Sequence, residues 1–190
     1  MRYKHAIAAA GLGIALVLTG CGDNSSNDGQ GSSISKSDSF NKDDVSFARE
    51  MIPHHRQAVE MSQMASTRAG SAEVKALAAE IEDAQGPEIK TMTGWLKDWD
   101  QEVPEDGDMS MDSDMPGMMS RSDMKMLAGL GGAEFDETFL TMMVAHHEGA
   151  IEMAKTEQAN GKSAEAVALA EEIEAAQAKE IKTMRTLLSA

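Results

Sequence analysis

Two pairs of adjacent histidines, His54-His55 and His146-His147, are the first residues in this sequence whose type and spacing could do chemistry. Neutral imidazole is a good ligand for copper, zinc, nickel or iron. The fifth histidine, His5, lies near the N-terminus, so every histidine beyond it belongs to this doublet pattern. Methionines accompany the doublets at fixed distances. Met51 stands three residues before His54 and Met61 seven after it, and Met143 and Met153 repeat that arrangement around His146, with Met142 adjacent. On a helix these spacings share one face. Thioether sulfur is soft and prefers Cu(I) or Ag(I) to zinc or magnesium. Methionine also fills irregular cores well, so packing is the alternative role for each sulfur. Copper is therefore the expected metal, with another transition metal as the alternative.

Glu88 and Glu180 add a carboxylate to each half of the pattern. Each falls on an otherwise apolar stripe, where an unpaired buried charge is costly. They read as metal ligands, as groups that hold the histidine rings, or as helix-edge acids paired with Lys90 or Lys182. Gln85 and Gln177 are placed to orient imidazoles, whereas Glu60 and Glu152 fall on the solvated face. Several other site chemistries lack their motifs. The Glu-x-x-His of carboxylate-bridged di-iron bundles is absent, because Met51 and Met143 stand where the glutamates would be. His147-Glu148 is not followed by the second histidine of a zinc protease. No serine, cysteine or glycine-loop signature points to covalent catalysis or nucleotide binding.

The elements that must position these residues come from an internal duplication. Asp44 to Leu96 matches Asp136 to Leu188 without a gap, at a constant offset of 92 (146 − 54 and 180 − 88). Identical pairs include Asp44/Asp136, Phe47/Phe139, Met51/Met143, Gln85/Gln177 and Met92/Met184, too many for chance. Each copy reads as two helices. Phe47, Met51, His54, Ala58, Met61 and Ala65 recur in steps of four and three, which predicts one buried stripe. Val74, Leu77, Ile81, Ala84, Glu88, Met92 and Trp95 predict the next. Gly70-Ser71 and Asn160-Gly161 with Ser163 supply the stops and caps between them. Two such hairpins bury their stripes against one another. The expectation is an all-α, ferritin-like four-helix bundle made of two repeated helical hairpins, with up-down-up-down connectivity as the alternative. Pro53 and Pro87 fall inside predicted helices of the first copy, where they would kink the axis.

The bundle domain is expected over 40–190, with a methionine-rich crossover at 97–133. The crossover holds Met109, Met111, Met115, Met118, Met119, Met124 and Met126 among Asp and Ser, and a short helix from Ser122 to Leu127. It reads either as a capture segment for soft cations or as an acidic connector packed in part on the bundle. Residues 1–20 read as a lipoprotein signal peptide: Arg2 and Lys4, an apolar run from Ala6 to Leu18, then Leu18-Thr19-Gly20-Cys21. That ending resembles the lipobox, which makes Cys21 the lipidation site. Residues 21–39, rich in Ser, Gly, Asn and Asp, form a flexible tether. The predicted location is outside the cell membrane, held by the lipid. A formal charge of −15 argues against nucleic acid and against a polybasic membrane contact. Aromatics make up 4% of the chain against 16 methionines, an imbalance that calls for an explanation.

The run Met51-Ile52-Pro53-His54-His55-Arg56-Gln57-Ala58-Val59-Glu60-Met61 and the block from Phe135 to Ala154 resemble the family called domain of unknown function 305. Gly117-Met118-Met119 is similar to that family too, and the resemblance covers about Phe40 to the end. It implies an exported, ferritin-like protein, and some members bind copper and support copper tolerance. Arg56-Gln57 departs from the pattern seen at Glu148-Gly149, so the two halves are not strictly equivalent. Three functions remain open at this stage. The first is sequestration or delivery of Cu(I) or Ag(I); the second is a redox or hydrolytic metalloenzyme on the same residues; the third is an envelope interaction module with structural histidines.

Overall fold

The computed structural model describes residues 39–105 and 115–190. The predicted signal peptide, Cys21, the tether up to residue 38, Met109 and Met111 lie outside the described residues. Among the described residues five helices follow in order: α1 Lys42–Arg68, α2 Ala72–Asp98, α3 Arg121–Gly129, α4 Ala133–Asn160 and α5 Ala164–Leu188. α1 packs along α2, α4 packs along α5, and α1 against α4 forms the seam between the two hairpins. Among the described residues no helix is long and apolar enough to cross a membrane.

The caps expected from the sequence are present. Ser71 and Ser163 accept hydrogen bonds from the amides of Val74 and Ala166 at the starts of α2 and α5. Such caps contribute roughly 1 kcal/mol each. The crossover helix α3 runs slightly beyond its predicted bounds and opens on a capping box between Ser120 and Asp123. Pro53 and Pro87 both sit inside unbroken helices.

Two aspartates decide the chain direction at the seam. Asp44, in the first turn of α1, accepts hydrogen bonds from the amides of Lys162 and Ser163, both at 2.9 Å. Asp136, its equivalent in α4, accepts from Gly70 and Ser71 at 2.9 and 2.8 Å. Each helix start therefore closes the other hairpin's turn, and α1 and α4 are antiparallel. This excludes the up-down-up-down alternative and leaves the ferritin-like order, in which the crossover must travel the length of the bundle. At the α4 start the turns come into contact: the Gly132 amide donates to the Arg68 carbonyl at 2.8 Å. A Cβ on Gly70 would lie 2.9 Å from the Gly132 backbone, so the approach needs glycine there.

The interior is divided along its length. One apolar cluster gathers Ala58, Met61, Ala65 and Ala69, Val74, Leu77, Ala78 and Ile81, Met124 and Leu127, Phe135, Phe139, Leu140, Met142 and Met143, and Ile181 with Met184. The other gathers Phe47, Ala48, Met51 and Ile52, Met92 with Leu96, Ala150, Met153 and Ala154, and Ala170 with Ile173. Each fully buried Met, Leu or Ile contributes about 1.5–3 kcal/mol. Along α2 the buried stripe differs from the predicted one. Ala84 is exposed and Gln85 takes its place, with Leu96 replacing Trp95 at the end. The steps 81, 85, 88, 92, 96 track the 3.6-residue turn better than a strict alternation does.

Candidate metal centre

Between the two apolar clusters lies a polar layer built from all four long helices. α1 supplies His54 and His55, α2 Gln85 and Glu88, α4 His146 and His147, and α5 Gln177 and Glu180. The four histidines are 0–1% exposed. His54 and His146 meet across the seam with ring centroids 3.8 Å apart and planes inclined by 41°. The second histidine of each pair turns by about 100° toward its own hairpin partner, as helical geometry requires. His55 Nε2 meets Glu88 Oε2 at 2.7 Å, and His147 Nε2 meets Glu180 Oε2 at 2.6 Å. The carboxylates are half-buried, so of the sequence-level options the structure favours the one in which they hold the rings.

The ring nitrogens left over define the chemistry. An ionised carboxylate accepts, so Nε2–H of His55 and of His147 donates to it, and in a neutral ring the lone pair then sits on Nδ1. His54 Nε2 likewise donates to the Pro116 carbonyl at 3.1 Å. Among the described residues the Nδ1 atoms of His54, His55 and His147, and both ring nitrogens of His146, are buried with no hydrogen-bond partner. Burying a polar atom without a partner costs roughly 1–3 kcal/mol. Burial, with the neighbouring His55 imidazole adding to it, holds His54 down to about 3. Burial and then the His54 and His147 rings hold His146 well below the usual imidazole range. Both rings are therefore neutral at pH 7, the state in which imidazole ligates metals.

The methionines flank this layer on both sides. Met61 and Met143 belong to one apolar cluster and Met51 and Met153 to the other. All four are buried. Among the described residues no three His, Cys, Asp or Glu side chains are grouped so as to hold a metal ion. The orphaned imidazole nitrogens and the thioethers above and below them fit a soft cation better than a hard one. A carboxylate behind a histidine ring is also a common support for a metal-binding imidazole.

Several structural features around the layer were not foreseen from sequence. Gln85 was expected to orient an imidazole, yet neither polar atom of its side chain has a partner among the described residues. Gln57 and Gly149 occupy equivalent positions (149 − 57 = 92), and both hold the crossover. The Gln57 amide donates to the Met119 carbonyl at 2.9 Å, and its oxygen accepts from the Met119 amide at 2.7 Å. At Gly149 a Cβ would run into the Pro116 carbonyl. Gly117, at φ +78°, brings the strap down on the Ala145 and His146 carbonyls. Arg56 donates to the carbonyls of Pro104 and Glu105. The departure Arg56-Gln57 thus marks where the first half grips both described ends of the crossover. The mismatch between the repeats was the available signal.

A helical bundle duplicated about one seam, with a dry histidine layer between methionine-bearing clusters, defines the class of protein. The chain belongs to the family "Domain of unknown function (DUF305)", which it matches over residues 44–188. A DUF305 protein from Streptomyces coelicolor, assigned as secreted, is 35% identical, with a TM-score of 0.71 over 77% of this chain and 91% of its own. A DUF305 fragment from Deinococcus radiodurans is 29% identical, with a TM-score of 0.71 over 78% and 97% of the two chains. CopM in its Cu(I)-bound form is 33% identical, with a TM-score of 0.65 over 77% and 95%. CopM structures with Cu(II) and with silver bound are similar to this chain as well. Comparison with the curated proteins found no match.

Proposed function

We propose that this chain is an exported, lipid-anchored protein that binds copper, as Cu(I) or its surrogate Ag(I), and sequesters or hands it on. The observation that carries the proposal is the contact of His54 with His146, 3.8 Å between centroids, in an interior where their free nitrogens have no other partner among the described residues. His55 and His147, each backed by a glutamate, and Met51, Met61, Met143 and Met153 complete the donor set. The copper- and silver-bound forms of CopM support the choice of metal. The Streptomyces relative supports export. Cys21 is the proposed site of the lipid anchor, and the membrane is reached through that lipid.

Purified mature protein titrated with Cu(I) or Ag(I) is expected to bind at least one ion. A His54→Gln/His146→Gln variant that remains helical by circular dichroism should lose that ion or bind it far more weakly. Unchanged stoichiometry and affinity in the folded variant would sink the proposal. For the anchor, Cys21→Ala should release the protein from the membrane fraction into the soluble exported fraction.

A further inference from the structure

The crossover lies along α1 in a single register. His54 meets Pro116, Gln57 meets Met119 and Arg68 meets Leu130, each pair 62 residues apart. The strap and α3 therefore run parallel to the second half of α1. The approach of Gly117 to the Ala145 and His146 carbonyls keeps the strap against α4 as well. The same offset sets Met124 of α3 level with Ser62, between Met61 and Met64 of α1 (124 − 62). Met142 of α4 stands one turn from His146. It is level with Ala58, because His54 and His146 face each other on antiparallel helices. Met124 and Met142 are 5% and 8% exposed. They belong to one apolar cluster with Met61, and the half-buried Met64 and Met119 pack against that cluster.

Helix polarity brings these sulfurs to one level. A helical side chain leans toward the N-terminus of its own helix. Met64 on α1 leans back toward Met61, and Met142 on the antiparallel α4 leans the opposite way, toward the same level. Met124, on α3, leans with Met64. Three elements therefore aim thioethers at a level roughly 10 Å along the axis from the His54–His146 contact, at 1.5 Å per residue. Methionine fills irregular cores, which would account for one or two such positions. The duplication supplies the comparison. In the half of the α1–α4 seam that α3 leaves uncovered, Thr156 stands for Met64 and Glu50 for Met142 (64 + 92 and 142 − 92). The other buried contact of α3 is made by a leucine, Leu127. The thioethers gather only where the crossover covers the seam.

We propose that Met64, Met119, Met124 and Met142 form a second site for a monovalent soft cation, Cu(I) or Ag(I), separate from the histidine layer. Thioether sulfur selects such ions over zinc or magnesium. The donors are neutral and largely buried, so one positive charge is accommodated at lower cost than two. Among the described residues no three His, Cys, Asp or Glu side chains are grouped to hold a harder ion. Met64 and Met119 are half-buried, so the site is reached from the surface without opening the bundle. The histidines, by contrast, are buried throughout. Met61, already counted with the histidine layer, stands between the two, seven residues from His54. The site uses no imidazole, so it stands or falls apart from the reading above.

The test is Ag(I) titration of the purified protein against a chromophoric chelator, with X-ray absorption at the silver edge. Exchange of Met for Leu conserves volume and is well tolerated in cores. Met64→Leu/Met142→Leu changes the bundle side of the site, and Met119→Leu/Met124→Leu the crossover side. Each pair should stay helical by circular dichroism and bind one Ag(I) fewer than wild type. Met126→Leu, at an exposed α3 position outside the cluster, should bind as wild type does. His54→Gln/His146→Gln should keep one Ag(I), in a shell of sulfur atoms. Full stoichiometry in both methionine pairs overturns the thioether site and leaves the histidine layer standing. So does a nitrogen-dominated shell, or no bound Ag(I), in the histidine variant. Loss of one ion from both methionine pairs but none from the histidine variant supports the thioether site and removes the histidine reading instead.

Discussion

His54 and His146, 92 residues apart in the chain, lie ring against ring at 3.8 Å, and each leaves at least one nitrogen without a partner among the described residues. Two helices of a duplicated hairpin thus place a pair of neutral imidazoles where water does not reach. Expectations about acid, base, strap and turns follow from this arrangement.

The metal-free protein should lose stability in acid. The His54 ring is held at about 3 in the folded state and His146 well below its usual value, whereas both titrate near 6.5 when unfolded. Below pH 6.5 the unfolded chain binds protons that the folded one does not. Stability is complete above that pH and falls as the pH drops toward the folded value. The slope is about 1.4 kcal/mol per pH unit for each proton taken up. Urea midpoints from pH 7.5 to pH 4.5 would show it, and a His146→Gln variant should have a shallower slope. A flat profile would mean that the rings are solvated.

Glu157 should give the opposite trend. Burial, with the Asp44 carboxylate next to it, pushes this carboxyl up to about 8 from 4.5. Between those values the unfolded chain has lost a proton that the folded chain keeps, so stability declines as pH rises from about 4.5 to about 8 and then levels off. Glu157→Gln keeps the shape and removes the titration. The variant should match wild type near pH 5 and exceed its thermal midpoint near pH 8.5.

The Pro116–Met119 strap should depend on two residues that share one position in the repeat. Gln57→Ala removes both hydrogen bonds to Met119 and leaves its amide and carbonyl unsatisfied, at a cost of about 1–3 kcal/mol. Gly149→Ala puts a methyl into the Pro116 carbonyl and should cost about 1–3 kcal/mol through displacement of the strap. Both variants should speed hydrogen exchange at the Met119 amide. Ala145→Gly, where no such contact is lost, should cost only the helix propensity of one glycine, about 1 kcal/mol, without that faster exchange.

The turns should report the crossed capping. Asp136→Ala leaves the Gly70 and Ser71 amides without their acceptor and should cost about 1–2 kcal/mol. Asp44→Ala should cost more than Asp136→Ala in guanidinium unfolding, because Asp44 also closes the α1 capping box with Asn41. Equal losses would mean that the capping box adds nothing.

Glu88→Gln and Glu180→Gln should weaken metal binding without abolishing it. Each exchanges a charged acceptor behind a histidine ring for a neutral amide, and losing such a partner typically costs 10- to 100-fold in affinity. Competition titration with a Cu(I) chelator would show the shift, with stoichiometry unchanged.

Much of this protein was legible in its residues alone. The offset of 92 revealed the duplication, and the steps of three and four placed His54 and His146 on inward stripes with Met51, Met61, Met143 and Met153. Helical periodicity is a local property, so it reports which face of each element is buried. It also implied the turn of His55 and His147 toward α2 and α5, because adjacent residues on a helix diverge by a fixed angle. Tertiary structure decided what depends on register between distant segments. Periodicity left α1 and α4 free to run either way, and Asp44 and Asp136 settled the direction by closing each other's turns. The hold of Gln57 on Met119, the Pro116 carbonyl on His54 and the hydrogen bond of Glu157 with Asp44 arise in the same way. Each joins groups about 60 residues or more apart, and a hydrogen bond at that range depends on how whole elements dock, which no local pattern encodes.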